Sequence, residues 1–264
     1  MAGGHGSAVT GGDLLDPGGR EHLFDGLDPS PAALCGVLHG VMIHDHFGAV
    51  CYPAVPPGFA DASRVTVPVA VRLEQIDRGG AGLAQRPPEQ RIVGTCRDFA
   101  LMFCAMARHH GLEARLRCGF AAYLDPPGWE DHWVAEYRGA EAETWARADA
   151  QIDGAHMDHL KVGFDPARLP AGAFLTGCEA WAALRRGEAT AETFGHGSAR
   201  GAWFVKVNLM RDLLCRQGRP VSDWDRWREV APDDLHRALP DALCDRLAEA
   251  PHDIPAPPLG GRAG

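Results

Sequence analysis

The segment GTCRDFALMFCAMARHHG (residues 94–111) constrains the fold most, because it predicts one buried helix with defined ends. Apolar side chains recur there at helical spacing, at Phe99, Met102, Phe103 and Met106. Thr95, followed three residues later by Asp98, forms a variant of the capping box, which predicts that the helix begins at Cys96. Gly111 stands where helices commonly end.

Three strands are predicted to follow this helix. ARLRCGFAAY (residues 114–123) alternates arginines with apolar residues, a pattern typical of a half-buried strand. HWVAEY (132–137) and ETWARAD (143–149) are two further short strands, joined by the turn RGAEA (138–142). A helix followed by adjacent strands favours an α+β fold.

The flanking segments predict further elements. Ser30 as N-cap and Pro31 at the first helical position predict a helix. The Val-rich stretch VTVPVAVRLEQI suggests an edge strand or extended segment around Pro68. Beyond Asp153 the pattern is helical, and its clearest helix, in GAWFVKVNLMRDLLCRQG, is predicted to end at Gly218.

No repeat or linker divides the chain convincingly, so we predict one principal domain at residues 21–250. Within it, a core of about residues 91–153 precedes a helical part of about 154–250. The Gly-rich residues 1–20 are predicted to be disordered, and residues 251–264 to be a flexible tail.

The net charge, the apolar runs and the cysteine content of the chain argue against several classes of function. A formal net charge of -9 argues against nucleic acid and anionic membranes as partners. No apolar run is long enough to span a membrane, and the N-terminus lacks the features of a signal peptide. The eight cysteines include no CxxC pair, so we expect reduced thiols in a cytoplasmic protein and no structural zinc site.

Cys96 is the cysteine that the helix prediction places at a helix N-terminus, where the unsatisfied N–H groups favour a thiolate. Nucleophilic catalysis by cysteine also needs a base and a group that orients it. His132 and Asp149 are the candidates, because the midpoint between them falls inside the predicted turn at 138–142. An antiparallel pair centred there would place the two residues directly opposite each other.

The order of these motifs resembles the transglutaminase-like superfamily of papain-fold cysteine enzymes. GTCRD opens a helix, a strand ends in CGFAAY, and DHW and then W-x-x-x-D follow, over about residues 91–153. The resemblance implies a catalytic helix packed on an antiparallel sheet, with additional helices at both ends. It also implies a catalytic triad of Cys96 as nucleophile, His132 as base and Asp149 as the orienting acid.

Such an enzyme attacks an amide or thioester carbonyl and forms a covalent acyl-enzyme, which is released to water or to an amine. The implied substrate is a peptide, a protein or a small amide or thioester, and no cofactor or metal is needed. An arylamine N-acetyltransferase-like enzyme is the nearest alternative, although RIVGTC replaces the Arg-Gly-Gly approach to its cysteine. A non-catalytic interaction module with the same fold is the alternative from another class.

Residues outside the triad carry weaker signals. The backbone N–H of Cys96 is a natural oxyanion donor, and Gln90 is a second, weak candidate. Core packing is the default interpretation for Trp129, with a substrate groove as the alternative. Cys35 and Cys244 are expected to be exposed thiols.

Two histidine motifs could be interpreted as metal ligands. HDH contains His44 and His46, and HMDH contains His156 and His159, but neither spacing matches a known type of metal site. Solvated or capping histidines are the favoured interpretation.

Overall fold

A computed structural model describes residues 14–55, 67–216 and 239–249. The α-helices in these ranges are α1 (Pro31–Val41), α2 (Phe47–Cys51), α3 (Val69–Ile76), α4 (Cys96–His109), α5 (Gly154–Leu160), α6 (Gly177–Arg185), α7 (Ala202–Arg216) and α8 (Asp241–Glu249). The strands are β1 (Met42–His44), β2 (Ile92–Gly94), β3 (Glu113–Ala121), β4 (Trp129–Arg138), β5 (Ala146–Ala148), β6 (Phe174–Thr176), β7 (Phe194–His196) and β8 (Ala199–Arg200). Short 3-10 helices cover Glu21–Phe24, Pro88–Gln90 and Ala191–Thr193. The predicted α+β class is confirmed.

A six-stranded sheet carries the predicted strands, in the order β6-β3-β4-β7-β8, with β5 also paired to β4. The longest ladder joins β3 and β4 antiparallel, from Glu113 opposite Arg138 to Ala121 opposite Glu130. On the other edge of β4, β5 pairs antiparallel near one end and β7 pairs parallel near the other end. Strands β1 and β2 form a separate parallel pair, which leads directly into α4.

Helix α4 begins at Cys96, as the sequence predicted, and packs against β3, β4 and α1. The carboxylate of Asp98 fixes this start, because its Oδ2 accepts hydrogen bonds from the Thr95 N–H at 2.8 Å and the Thr95 hydroxyl at 3.1 Å. Arg72 of α3 donates to the same oxygen at 2.8 Å. Every residue from Cys96 to Ala107 is buried, so this helix is the centre of the core.

The prediction of an extended segment around Pro68 is wrong where the structure describes it. Pro68 occupies the N-cap position of α3, and Val69, Leu73 and Ile76 form one buried helical face while Val71 is exposed. A short Val-rich stretch matches both a period of two and a period of 3.6, and packing against α4 decides between them here.

The C-terminal part at about 154–250 is not helical alone. Its described residues include three short strands, β6, β7 and β8, which extend the main sheet on both sides. Strands of two or three residues are too short for a periodic signal. The predicted helix end at Gly218, the predicted tail at 251–264 and most of the predicted disordered segment at 1–20 lie outside the described residues.

A buried ion-pair network ties α7 to the sheet. The Arg117 guanidinium on β3 donates to Asp212 of α7 at 2.6 and 2.8 Å and to Glu136 of β4 at 2.7 Å. Burial opposes ionisation of Glu136, but Arg117 and then Arg115 outweigh it and lower the pKa of Glu136 to about 2. Strand β3 is therefore more deeply buried than predicted, since Arg117 is 7% exposed.

Candidate active site

The structure brings Cys96, His132 and Asp149 together, from the first residue of α4, from β4 and from the position after β5. His132 Nε2 lies 2.8 Å from Asp149 Oδ2. The Cys96 thiol is a hydrogen-bond partner of the His132 imidazole. The three side chains thus form a continuous hydrogen-bonded line.

His132 and Asp149 are not directly opposite each other, which corrects the predicted register. The β4–β5 ladder pairs Ala135 with Ala148 and Tyr137 with Ala146. Continued along the strands, this register sets Asp149 opposite Val134, so that Asp149 is a diagonal neighbour of His132. A shift of two residues preserves the face of the sheet, and long polar side chains reach across such a diagonal.

Asp149 is 1% exposed, and three donors hold its carboxylate. The Tyr123 hydroxyl donates to Oδ2 at 2.5 Å, beside His132, and the Gln151 N–H donates to Oδ1 at 3.1 Å. Burial raises the pKa of Asp149, but the charge of His132 and these hydrogen bonds outweigh it and lower that pKa below its ordinary value. Tyr123 was not predicted as a site residue, because an aromatic side chain with a hydroxyl just after a strand is a weak sequence signal.

His132 is fully enclosed, at 1% exposure. Burial lowers its pKa, but the charge and hydrogen bond of Asp149, and then the contact with Cys96, outweigh burial and raise the pKa of His132 well above its ordinary value. An imidazolium beside a cysteine is the state that stabilises a thiolate.

Cys96 and His132 line a pocket of about 410 Å³, here called the Cys96 pocket. Its lining residues are His44, Asp45, His46, Phe47, Thr95, Cys96, Leu124, Asp125, Glu130, Asp131, His132, Gln151 and His196. A volume of this size lies within the range of small-molecule and peptide side-chain sites. Cys96 and His132 are thus reachable from one cavity although both are buried.

The HDH motif belongs to this pocket, which sequence reasoning missed. Strand β1 pairs with β2, and the Asp45 N–H donates to the Gly94 carbonyl at 2.9 Å, two residues before Cys96. His44 Nδ1 lies 3.1 Å from Asp45 Oδ1. The parallel pairing of two three-residue strands brings these side chains to the pocket, and such short pairings carry little sequence signal.

The HMDH motif has a packing role. His156 is 2% exposed, not solvated, and its Nδ1 lies 2.7 Å from Asp153, the N-cap residue of α5. The rings of His156 and His159 contact Phe47 edge-on. Among the described residues, no group of three or more His, Cys, Asp or Glu side chains is arranged to hold a metal ion.

Three other sequence predictions, for Gln90, Cys35 and Cys244, need correction. Gln90 is exposed at the end of a 3-10 helix and does not line the pocket, so it is not positioned as an oxyanion donor. Trp129 stacks on Phe194 and packs against the core, as its default interpretation predicted, and it does not line the pocket. Cys35 and Cys244 are buried, at 3% and 0% exposure, because the helices that carry them present them to the core.

Residues 82–150 match the family model of the transglutaminase-like superfamily. The matched region contains α4, β3, β4 and β5 and all three residues of the hydrogen-bonded line. The chain therefore contains a transglutaminase-like domain, and the resemblance inferred from GTCRD, DHW and WARAD is confirmed. No curated protein and no solved structure gave a significant match to the chain.

None of the helices in the described ranges has the length and apolar character required to cross a membrane.

Proposed function

We propose that this protein is a cysteine-dependent acyl-transfer enzyme that acts on an amide or thioester carbonyl. One observation carries the proposal: Cys96, His132 and Asp149 form a hydrogen-bonded line within the region that matches the transglutaminase-like superfamily, and Cys96 and His132 line a pocket. A nucleophile, a base and an orienting carboxylate in mutual contact are what nucleophilic catalysis by cysteine requires.

In the first half-reaction, Cys96 Sγ attacks the carbonyl carbon, and the carbonyl electron pair moves to the oxygen. His132 gives its proton to the leaving amine or thiol as the carbon–nitrogen or carbon–sulfur bond breaks. The acyl group then remains on Cys96 as a thioester.

In the second half-reaction, water or an amine attacks the acyl-enzyme. His132 takes the proton of the attacking group, the bond to Sγ breaks, and the free Cys96 returns paired with a protonated His132. The product is a carboxylic acid if water attacks, or a new amide if an amine attacks.

Asp149 supports both steps by holding the His132 ring through Nε2. The backbone N–H of Cys96 is one of the first N–H groups of α4, which have no partner within the helix, and it is the proposed oxyanion donor.

The proposed partner is a peptide, a protein or a small amide or thioester. The pocket lining includes four carboxylate residues, Asp45, Asp125, Glu130 and Asp131. This composition supports a neutral or cationic substrate over a polyanion such as nucleic acid.

The test is trapping of the acyl-enzyme. Phenyl thioacetate, an activated thioester, is mixed with the protein, and the acetylated peptide is mapped by mass spectrometry. We expect acetylation of Cys96 and release of acetate on longer incubation. Cys96→Ala should abolish the adduct, whereas the control Cys104→Ala, two turns further along α4, should retain it.

Absence of the Cys96 adduct from the folded wild-type protein would contradict the proposal and favour the non-catalytic interaction module. A parallel assay uses acetyl-CoA in place of phenyl thioacetate, with aniline as the acceptor. Acetanilide formed there in a Cys96-dependent reaction would identify the arylamine N-acetyltransferase alternative.

A further inference from the structure

A second cavity, here called the Arg168 pocket, lies apart from the Cys96 pocket. Its volume is about 390 Å³, and its lining shares no residue with that of the Cys96 pocket. Glu136 of β4, Arg147 of β5 and the segment from Arg168 to Phe174 contribute to its walls. A cavity of this volume can hold a small organic molecule.

A charge-balanced network forms one wall of the Arg168 pocket. Its carboxylate at the pocket, Glu136, accepts from three arginines, at 2.7, 2.7 and 3.3 Å. Two of those arginines each hold a second carboxylate. The members are Arg115, Arg117 and Arg147, with Glu136, Asp212 and Glu179. Three cations thus face three anions, so this network leaves no net charge for a ligand.

Arg168 adds a positive charge outside this network. It is exposed, and its guanidinium makes no hydrogen bond or ion pair with the residues that the structure describes. Burial raises the pKa of Tyr137, and the charge of Arg168 opposes that rise, so the guanidinium acts toward β4. The described lining holds two arginines and one glutamate, which is one net positive charge in a chain of net charge -9.

The backbone on both sides of Arg168 is held in place. The Leu169 N–H donates to the Arg147 carbonyl at 2.8 Å, and the Tyr137 hydroxyl donates to the Ala167 carbonyl at 2.8 Å. The Arg168 N–H donates to the Asp165 carbonyl at 3.0 Å. The unpaired side chain therefore starts from a fixed point at the cavity, which reduces the entropy lost when a ligand binds.

We propose that the Arg168 pocket binds a small monocarboxylate with a short apolar chain. The planar guanidinium of Arg168 donates two parallel N–H bonds to the carboxylate, the geometry that arginine favours. The apolar chain packs against Leu169 and Phe174, which line the pocket and belong to one small apolar cluster. One negative charge neutralises the lining, whereas a doubly charged phosphate would leave it negative. This site is independent of the proposed function, since the two pockets share no residue.

The test is an NMR titration of the isotope-labelled protein with butyrate at low ionic strength. Butan-1-ol is the neutral probe with the same chain length, and inorganic phosphate is the anion with more charge. We expect butyrate to shift the amide signals of residues 145–147 and 168–174, with a dissociation constant of about 1 to 10 mM for so small a ligand. Butan-1-ol and phosphate should bind there at least about tenfold more weakly.

Arg168→Gln removes the charge at an exposed position, where the fold does not depend on the side chain. It should weaken butyrate binding at least about fivefold, the loss of a charged pair of hydrogen bonds at a solvent-accessible site. Arg186→Gln is the matched control, because Arg186 is also exposed, pairs with Glu188 and lies outside the pocket. It should retain the wild-type affinity.

The inference is overturned if butyrate leaves the amides of 145–147 and 168–174 unshifted, or if Arg168→Gln binds it with wild-type affinity. Equal binding of butyrate and butan-1-ol would also overturn it, because the charge would then have no role. Tighter binding of phosphate than of butyrate would refute the monocarboxylate. None of these outcomes depends on whether Cys96 forms an acyl-enzyme, so each proposal can fail without the other.

Discussion

The Tyr123 hydroxyl and the His132 imidazole share one acceptor, the Oδ2 atom of Asp149, at 2.5 and 2.8 Å. The oxygen that orients the proposed base is therefore itself oriented by a second side chain. Burial, followed by the charge and hydrogen bond of Asp149, raises the pKa of Tyr123 well above its ordinary value, so the phenol remains a donor throughout the working pH range.

Tyr123→Phe should slow acyl-enzyme formation about tenfold, in line with the loss of one hydrogen bond to a charged group. The Tyr123 hydrogen bond lowers the pKa of Asp149, so removing it should also shift the acid limb of the pH–rate profile to higher pH. Stopped-flow rates with phenyl thioacetate over a pH series measure both effects. An unchanged acid limb would show that Tyr123 acts by packing alone.

Asp149→Asn retains the shape of the side chain and removes the charge that stabilises the imidazolium. We expect acyl-enzyme formation to fall by about two to four orders of magnitude, with the variant still folded but unfolding at a lower temperature than the wild-type protein. Single-turnover kinetics and thermal unfolding measure the two quantities. A rate equal to that of the wild-type protein would make Asp149 a structural residue.

Brief labelling with limiting iodoacetamide near pH 6.5 should modify Cys96 before any other cysteine in the described residues. Cys51 is the partly exposed competitor, and burial, followed by the charge of Asp153, raises its pKa to about 11. Burial raises the pKa of Cys104 to about 12. Both thiols are therefore almost fully protonated at this pH.

His132→Ala removes the cation beside Cys96 and should slow that labelling markedly. Peptide mapping of wild-type and variant protein after the same exposure is the measurement. Should Cys96 remain unlabelled while Cys51 reacts, or should the variant label at the wild-type rate, Cys96 is a packing residue.

The buried His132–Asp149 pair should make stability depend on pH in a defined direction. The folded-state pKa of His132 is raised, so its contribution is complete below about 6.5, the unfolded value, and is lost as pH rises through the folded value. The folded-state pKa of Asp149 is lowered, so its contribution is present above about 3.9 and is lost as pH falls through the folded value. The pair therefore contributes most between about pH 4 and 6.5.

Urea unfolding of the wild-type protein and of Asp149→Asn at pH 5.5 and 9 tests this dependence. The wild-type advantage in the free energy of unfolding should be largest at about pH 5.5 and should decrease toward pH 9, by at most about 1.4 kcal/mol per pH unit. A constant difference across this range would contradict the ion pair.

Arg117→Met should destabilise the fold by about 3 to 5 kcal/mol, because it removes the arginine that pairs with buried Asp212, whereas Glu136 keeps Arg115 and Arg147. Arg138→Met is the matched control on the neighbouring strand, where the Arg138–Glu113 pair is substantially exposed. It should cost at most about 1 kcal/mol. Equal losses in chemical denaturation would mean that burial of the Arg117 network has no energetic consequence.

The parts of the fold that the sequence predicted are those with strong local signals. The helix from Cys96 follows from its capping residues and its apolar spacing, and β3, β4 and β5 follow from alternation and from the intervening turn. The prediction for the segment after Pro68 was wrong because its eight residues fit the period of a strand and that of a helix equally well. Contact with α4 selects the helix. Strands β6 to β8 were missed because two or three residues carry no period.

For the site, the sequence identified the three residues of the hydrogen-bonded line but not their relative register. The register of the β4–β5 ladder differs by two residues from the predicted one. His132 and Asp149 still lie on the same face of the sheet, because side chains alternate between faces with a period of two. Tyr123 and the HDH segment reach the site through contacts between segments far apart in the chain, which no local pattern encodes.

The two sides of the Cys96 pocket belong to structural units of very different size. Cys96 begins a helix that is buried without interruption as far as Ala107, whereas Phe47 begins the five-residue α2, in which Val50 is 49% exposed. Amide hydrogens in the buried middle of the long helix should exchange with solvent through global unfolding, and those of α2 through local opening. Local opening of α2 would then widen the entrance for bulky ligands while the thiol keeps its position.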